Sequence, residues 1–323
     1  EGAVQLTLQG LPAGVTAPAV TLPAQATSVQ VTLTAQPDAP HSLPTTATVR
    51  ATAGTLVASE PVTVTVRGRP GTLDTSFGGG VVVASVGPSE DYAQAVAVQA
   101  DGKVVTVGTT ATNVGTVVAL TRHLRDGTLD TSFGTAGEVV VQVGARGDSA
   151  RAVAIQPDGS IVIAGWSDDT GIDANFMLLR LLPDGSLDGS FAQGGKLKLP
   201  FGTGTDRAHA VAIQDDGRIV AADTTLSSTS TTGQDFALIR VMPDGTLDTG
   251  FGQGGKVVTP MQPSSGGDIV YALALPRVGG EQRILAVGGE GDFMAARYTA
   301  SGALDASFGS GGKAVGLFKR NIG

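Results

Sequence analysis

One eight-residue phrase recurs five times along this chain and constrains its fold more than any other feature. It first reads Gly-Thr-Leu-Asp-Thr-Ser-Phe-Gly at residues 71–78, and the aspartates of the five copies are Asp74, Asp130, Asp188, Asp248 and Asp305. Successive aspartates are 56, 58, 60 and 57 residues apart. A period this regular indicates that residues 69–323 are an array of one supersecondary unit.

The segments between the phrases predict four short antiparallel strands per repeat. In the second repeat, an alternating run over 150–156 is followed by Pro157-Asp158-Gly159 and a second run over 161–165. Asp-Gly between two such runs is a strong hairpin signal, because glycine adopts the positive φ that the turn needs. A third strand over 176–182 and a fourth after Gly195 complete the unit.

The phrase itself predicts a capped turn that plugs the edge of a sheet. Leu187 and Phe191 are four residues apart, so they share one face of a single helical turn, and Asp188 is placed to cap the free amides of that turn. The glycine that follows the phenylalanine in the repeat suits a left-handed exit.

Composition and repeat length together predict an all-β chain. Glycine accounts for 47 of 323 residues, charged residues for only 15%, and 41% are hydrophobic, which allows a sizeable core. Four strands without a crossover helix match a β-propeller blade. Four copies of the first three strands predict a small propeller of four blades. A fifth copy of the fourth strand, at 80–86, either closes the ring against the last blade or belongs to a blade whose other strands are absent.

Residues 1–68 lack the phrase and predict a separate β-sandwich domain. Alternating runs occur at Val4 to Leu8, Val29 to Ala35, Thr45 to Ala53 and Val62 to Val66. The run over 8–15, with Leu22-Pro-Ala and the closing run over 61–66, resembles bacterial immunoglobulin-like domains of surface proteins. Such a sandwich has seven strands and about five can be placed here, so we expect an incomplete domain and a chain cut within or near it. The first residue is Glu1, which fits either a fragment or removal of a signal peptide.

The repeat resembles a known bacterial family. Its consensus is an Asp-x-Ala-x-Ala-Val-Ala-Ile-Gln start, a Phe-x-Leu-x-Arg strand and an Asp-Gly-x-Leu-Asp-x-x-Phe-Gly-x-Gly-Gly-Lys close. Over residues 71–316 this pattern is similar to the delta-60 repeat, a propeller-like repeat of exported bacterial proteins. The resemblance implies a fold and an extracellular or cell-surface location, but no activity for particular residues.

Two sets of charged residues recur in register. Four arginines lie eight residues before a phrase aspartate, where they either form an anion pocket or pair with local carboxylates and carbonyls. Four aspartates precede the first strands, where they either converge to bind Ca²⁺ or another hard cation, or serve local turn amides. The arginines are Arg122, Arg180, Arg240 and Arg297, and the aspartates are Asp91, Asp148, Asp206 and Asp268.

One slot in the first strand varies chemically while its neighbours stay small. It holds Gln94, Arg151, His209 and Tyr271. Diversity over a constant frame predicts a binding surface, although drift at exposed positions gives the same variety. Trp166, the only tryptophan, either offers a sugar-stacking platform or packs in the core or rim. Loops, above all Thr224 to Gln234, could add to such a surface.

The remaining features exclude several functional classes. The net charge of −8 and the lack of a Lys/Arg cluster argue against nucleic acid or an anionic membrane as partner, and no apolar stretch is long enough to span a bilayer. Cysteine is absent, and the three histidines have no repeat partner. We therefore expect a non-catalytic binding or assembly module of an exported bacterial envelope protein, with an envelope protein or glycan as partner. The alternatives are a cation-dependent polysaccharide hydrolase or lyase and a purely structural surface-layer or appendage component.

Overall fold

The fold is all-β, as the sequence predicts. The computed structural model describes residues 2–36, 39, 42, 44–67, 72–113, 115–171, 174–201, 205–226, 234–261, 268–289 and 292–316. In these ranges the only helical element is one 3₁₀ turn, Gly78–Gly80. The chain divides into two compact units, residues 1–83 with 125–128, and residues 84–124 with 129–323.

The first unit is built on one antiparallel sheet. Its strands are β1 (Val4–Gln9), β2 (Val15–Thr16), β3 (Val20–Leu22), β4 (Thr34–Ala35), β5 (Thr45–Ala53) and β6 (Leu56–Val64). The order β3-β1-β5-β6 forms the main sheet, and β2 pairs with β4. The runs at Val4 and Thr45 are confirmed as strands, whereas the run over 29–35 is wrong except for β4. Among the residues described in this unit, the buried apolar side chains are those of Pro12, Ala47 and Val66, so its alternating pattern encloses little core.

The second unit contains four four-stranded sheets. Sheet 1 has β7 (Asp91–Val98), β8 (Val104–Thr112), β9 (Gly115–His123) and β10 (Glu138–Val141). Sheet 2 has β11 (Gly147–Ile155), β12 (Ile161–Asp168), β13 (Ala174–Leu181) and β14 (Lys196–Leu199), and sheet 3 has β15 (Arg207–Ile213), β16 (Ile219–Leu226), β17 (Gln234–Val241) and β18 (Lys256–Thr259). Sheet 4 has β19 (Val270–Ala274), β22 (Ile284–Gly288), β23 (Phe293–Tyr298) and β24 (Lys313–Gly316), with a short hairpin of β20 (Arg277–Val278) and β21 (Glu281–Gln282) between β19 and β22. Each sheet is an antiparallel meander in chain order, which confirms the four predicted strands per repeat.

The predicted hairpin and capped turn are also confirmed. Gly159 has φ 87° and donates its amide to the carbonyl of Gln156 at 2.9 Å, which closes the loop between β11 and β12. In the phrase, the Phe191 amide donates to the Asp188 carbonyl at 3.0 Å, and the Asp188 side chain accepts the amide and hydroxyl of Ser190. The left-handed residue after the phenylalanine is alanine in this repeat, Ala192, with φ 46°.

The core of the second unit lies between consecutive sheets. The first strands β7, β11, β15 and β19 pack side by side in that order. Buried apolar residues form one cluster at each of the three junctions. In the part of the chain that the structure describes, no comparably extensive contact joins β7 to β19. Within this unit, the four sheets therefore form a consecutive series in which each sheet packs against the next.

Cross-repeat hydrogen bonds reinforce each junction. At each junction between consecutive sheets, the amide after the phrase phenylalanine donates to a turn carbonyl in the next repeat, as from Gly134 to Asp184 and from Ala192 to Asp244, both at 2.8 Å. In the opposite direction, the lysine of a Gly-Gly-Lys turn reaches the preceding repeat. Lys196 Nζ donates to the Gln142 carbonyl at 2.7 Å. Each junction is thus held from both sides.

The predicted outer strand at 80–86 does not form a strand. Residues 81–86 have no ladder partner, and Val81 and Val83 are exposed. The phrase before it nevertheless folds like the other copies, because the Gly78 amide donates to the Asp126 carbonyl at 2.8 Å. Sheet 4 has its own outer strand, β24.

Candidate functional site

The four chemically variable residues occupy β-bulges at equivalent places on the four first strands. The register between the first and second strand shifts in each sheet between residues 93 and 95, 150 and 152, 208 and 210, and 270 and 272. The residue at each shift is the variable one. A bulge leaves one residue out of the ladder and redirects its side chain. We call Gln94, Arg151, His209 and Tyr271 the bulge row.

Because β7, β11, β15 and β19 pack side by side, the bulge row runs across neighbouring strands. Arg151 Nη1 donates to Gln94 Oε1 at 3.1 Å. The rings of His209 and Tyr271 meet edge to face, with centroids 6.1 Å apart. Gln94 and Tyr271 are exposed, and Arg151 and His209 are half-buried. The structure therefore brings the predicted binding residues together as an amide, a guanidinium, an imidazole and a phenol.

Trp166 is not a free aromatic platform. It lies on β12, is half-buried, and has the Arg207 guanidinium 5.4 Å above its ring. Arg207 belongs to the next repeat, so this stacking contributes to the junction of sheets 2 and 3. The packing interpretation is the one that this geometry favours.

The four aspartates before the first strands serve the backbone of their own connections. Asp148 accepts the amides of Val143 and Gly144 at 2.7 and 2.8 Å. The other three also accept backbone amides, Asp91 from Val86 at 2.9 Å, Asp206 from Phe201 at 2.7 Å and Asp268 from Met261 at 3.0 Å. All four lie within the described ranges, and no three of them form a group that could hold a metal ion.

Of the two alternatives for the four aspartates, this arrangement favours the one in which they bind local backbone amides. Each carboxylate accepts backbone amides from the connection that leads into its first strand. These hydrogen bonds hold the connection and fix the orientation of the carboxylate. Burial raises the pKa of the Asp148 carboxyl above its usual value, while the amides of Val143 and Gly144 oppose that rise. The hydrogen bonds of Asp148 therefore indicate a local, structural role.

The four recurring arginines bind inside the array. The Nε of each donates to the phrase aspartate of its own repeat, at 2.8 Å for Arg122 and Asp130 and 2.7 Å for Arg180 and Asp188. Each guanidinium also lies over the phrase phenylalanine, 4.7 Å from the ring centroid in the case of Arg180 and Phe191. Pairing with a local carboxylate is thus confirmed.

The carbonyl partner of these arginines lies one repeat further on than the sequence predicts. Arg180 Nη1 donates to the carbonyl of Pro243, and Arg122 Nη1 donates to that of Pro183. Both carbonyls immediately precede the Asp-Gly turn of the following repeat. The arginine therefore joins a phrase, a phenylalanine and the next sheet, and its charge is not available to an anion.

The phrase aspartates are held in the ionised form. The Ser307 hydroxyl is the largest of the influences that lower the pKa of Asp305 to about 2, and Arg297 lowers it further, whereas burial opposes them. For Asp188, the Ser190 hydroxyl likewise lowers the pKa, burial opposes it, and Arg180 adds to the lowering. Such lowered pKa values mean that the ionised carboxylates stabilise the fold.

Comparison with known proteins supports the propeller-like repeat. Residues 99–133, 156–191 and 214–251 match the family described as a β-propeller domain of unknown function (DUF5122). Each match begins at the glutamine after a first strand and ends at a phrase phenylalanine. The chain is therefore a β-propeller-like repeat protein in this region. No curated protein matches the chain.

Two functional features escaped the sequence analysis. The bulges were missed, although the varying residue between two small ones is their signal. The cross-repeat acceptors of the arginines were missed because residues about sixty apart meet only when two sheets stack. Of the loop at Thr224 to Gln234, residues 227–233 lie outside the described residues. No helix in the described part of the chain has the length and apolar character to cross a membrane.

Proposed function

We propose that this chain is a non-catalytic binding module of an exported bacterial envelope protein, and that the bulge row is its contact surface. The observation that carries the proposal is the register of the bulges. Four different side chains stand at one repeated irregularity, whereas the other recurring polar residues described above are used by the scaffold.

The chemistry of the bulge row fits a polar partner. A guanidinium, an amide and an imidazole bind hydroxyl and carbonyl groups, and the exposed face of Tyr271 suits stacking. A glycan or a polar segment of an envelope protein offers these groups. The proposal includes two further parts, each supported by sequence pattern: the repeat over residues 71–316 belongs to the delta-60 family, and the first unit is an immunoglobulin-like spacer. In this proposal, residues 1–68 form the spacer and residues 69–323 form the propeller-like domain.

The enzyme alternative lacks an observation in its favour. Its site depended on four convergent aspartates, and the carboxylates instead bind backbone amides. The structural alternative concerns assembly and depends on contacts made by the edges of the repeats, not on the bulge row.

Binding to envelope material tests the proposal. The intact chain is expected to retain glycans or envelope proteins from an envelope fraction without converting them, and a variant with all four bulge residues changed to alanine is expected to lose that binding. A matched control changes Val140 and Val258 to alanine, which are exposed residues on the outer strands β10 and β18. Equal binding by both variants, or turnover of the retained glycan, would contradict the proposal.

A further inference from the structure

A polar pocket of about 650 Å³ lies between sheets 1 and 2, at the ends where their first and second strands are joined. We call it the turn pocket, and its polar lining consists of Gln99, Asp101, Lys103, Arg122, Gln156 and Asp158. All of its lining residues belong to the second unit. The lining begins at Val98, four residues after Gln94 of the bulge row, so about 13 Å of strand β7 separates the two surfaces.

Two glutamines that line the turn pocket have unpaired carboxamide oxygens. Gln99 is only 9% exposed, and its Oε1 has no hydrogen-bond partner among the described residues. The same holds for the buried Oε1 of Gln156. The Nε2 of Gln99 donates to the Gly159 carbonyl at 3.5 Å, which is longer than an ordinary hydrogen bond. Buried polar atoms are rarely left unpaired, so these two acceptors require donors that the described residues do not supply.

The junction of sheets 3 and 4 shows how an equivalent glutamine is paired. Gln214 follows β15 as Gln99 follows β7. Its Nε2 donates to Gln282 Oε1 at 3.3 Å, and its Oε1 accepts from an arginine of the same sheet at 3.4 Å. Gln282 lies on the β20–β21 hairpin, within the connection 275–283 from β19 to β22, whereas only residues 156–160 join β11 to β12. The turn pocket therefore lies where sheet 4 places a hairpin with a carboxamide side chain.

A primary carboxamide matches the chemistry of the turn pocket. Its NH₂ group carries two donors for the two unpaired oxygens, and its carbonyl accepts from an ammonium. Lys103 Nζ carries three donors and lies 2.9 Å from Asp130 and 3.8 Å from Asp101, so it can also donate to that carbonyl. A carboxylate would leave both glutamine oxygens unpaired, and an ammonium would be repelled by Lys103 and Arg122. The carboxamide is thus the group that satisfies both kinds of lining atom.

We propose that the turn pocket binds a Gln or Asn side chain that a partner polypeptide presents on a turn. This side chain donates to Gln99 and Gln156 and accepts from Lys103. The hairpin of sheet 4 provides the precedent, because it brings Gln282 to Gln214 in the same way. The site uses no residue of the bulge row, so it goes beyond the proposed function and does not depend on it.

Titration of the intact chain with a blocked tripeptide tests the proposal. The probe is acetyl-Gly-Gln-Gly-N-methylamide, whose one primary carboxamide is the glutamine side chain, and the matched control peptide carries Glu in place of Gln. NMR spectra report the side-chain amide signals of Gln99 and Gln156, each assigned by its disappearance on substitution with leucine. The Gln peptide is expected to shift both signals in a saturable manner, and the Glu peptide is expected to bind roughly tenfold more weakly.

Substitution of Gln99 adds a readout that does not depend on the peptide alone. Gln99→Leu is expected to weaken peptide binding, measured at the Gln156 signal, by roughly tenfold. It is also expected to leave Tm unchanged or higher, because leucine brings no buried acceptor without a partner. Gln214→Leu is the matched control at the equivalent position. It is expected to keep peptide binding but to lower Tm, because it removes two hydrogen bonds at the junction of sheets 3 and 4.

Absence of a saturable shift with the Gln peptide overturns the proposal and indicates that water pairs with the two oxygens. Equal binding of the Gln and Glu peptides shows that the carboxamide is not recognised, and it overturns the proposal as well. If N-acetylglucosamine shifts the same signals and the Gln peptide does not, the pocket takes a glycan and the proposal is wrong. Equal loss of Tm in Gln99→Leu and Gln214→Leu would identify Gln99 as part of the scaffold and would also reject it.

Discussion

Sheets 3 and 4 present the same apolar slot in two different surroundings. Phe236 in sheet 3 lies in a closed junction, and Phe293 in sheet 4 faces solvent, yet the two occupy the same register position. The comparison shows that the sequence pattern of a strand specifies an apolar packing face. The pattern does not specify whether another sheet packs against that face. In a repeat array, burial is a property of the junction, not of the repeat.

The largest expected difference comes from truncating the two phenylalanines. Phe236→Ala is expected to lower the free energy of unfolding by about 3 to 5 kcal/mol, because it leaves a cavity in a closed cluster. Phe293→Ala is expected to change it by about 0.5 kcal/mol or less, because the ring is exposed. Urea unfolding monitored by circular dichroism measures both. Similar losses for the two variants would show that the slot in sheet 4 is covered in solution.

The next difference concerns the recurring arginine. Arg180→Ala removes an ion pair with Asp188, a stacking contact with Phe191 and a hydrogen bond to the next repeat, and is expected to cost about 3 kcal/mol, since it leaves Asp188 buried without its cation. Arg297→Ala is expected to cost less than half as much. Arg297 keeps the pair with Asp305 at 2.9 Å, but Arg283 also reaches that carboxylate, and no next-repeat carbonyl binds Arg297 in the described residues. A double-mutant cycle with Asp188→Asn separates the ion pair from the stacking.

A smaller effect is expected from pH. The pKa of Asp305 in the fold is about 2, below its ordinary value of 3.8, so its stabilising contribution is complete above pH 4 and is lost as the pH falls from about 4 to about 2. Asp305→Asn is therefore expected to flatten the fall in Tm over that window. Asp148 has a raised pKa, so acidification protonates it with a gain in stability, and Asp148→Asn is expected to steepen the same fall. Parallel curves for the two variants would reject the assigned directions.

The smallest stability effect is expected in the bulge row. Tyr271→Ala is expected to change the free energy of unfolding by about 0.5 kcal/mol or less. The side chain is exposed, and residue 271 lies at the bulge between the paired residues 270 and 272. His209→Ala is expected to behave in the same way, with loss of one edge-to-face contact. If both variants unfold as readily as Phe236→Ala, the bulge row is part of the scaffold and not a surface.

Most of the repeat could be predicted from the sequence because its signals are local. Asp158-Gly159 fixes a turn within four residues, and Asp188, Ser190 and Phe191 form a capped turn within one phrase. The acceptors of Arg122 and Arg180 could not be predicted, since they lie in the next repeat. Nor could the exposure of Phe293, because its sequence context matches that of Phe176. The strand predicted over residues 29–35 is wrong except for β4. Its residues alternate between apolar and polar, but no neighbouring strand pairs with most of them.

The opposed cross-repeat hydrogen bonds have a consequence for how the array comes apart. Arginines and phrase amides bind forward to the next sheet, and lysines such as Lys196 and Lys256 bind backward, at 2.7 Å each. Among the described residues of this unit, an interior sheet is therefore held by two neighbouring sheets and sheet 4 by one. Opening of sheet 4 breaks one set of clamps, whereas opening of sheet 2 breaks two. Local unfolding of the array is accordingly expected to begin at sheet 4 and to proceed inward. Amide hydrogen exchange is expected to be fastest in β23 and slowest in β12.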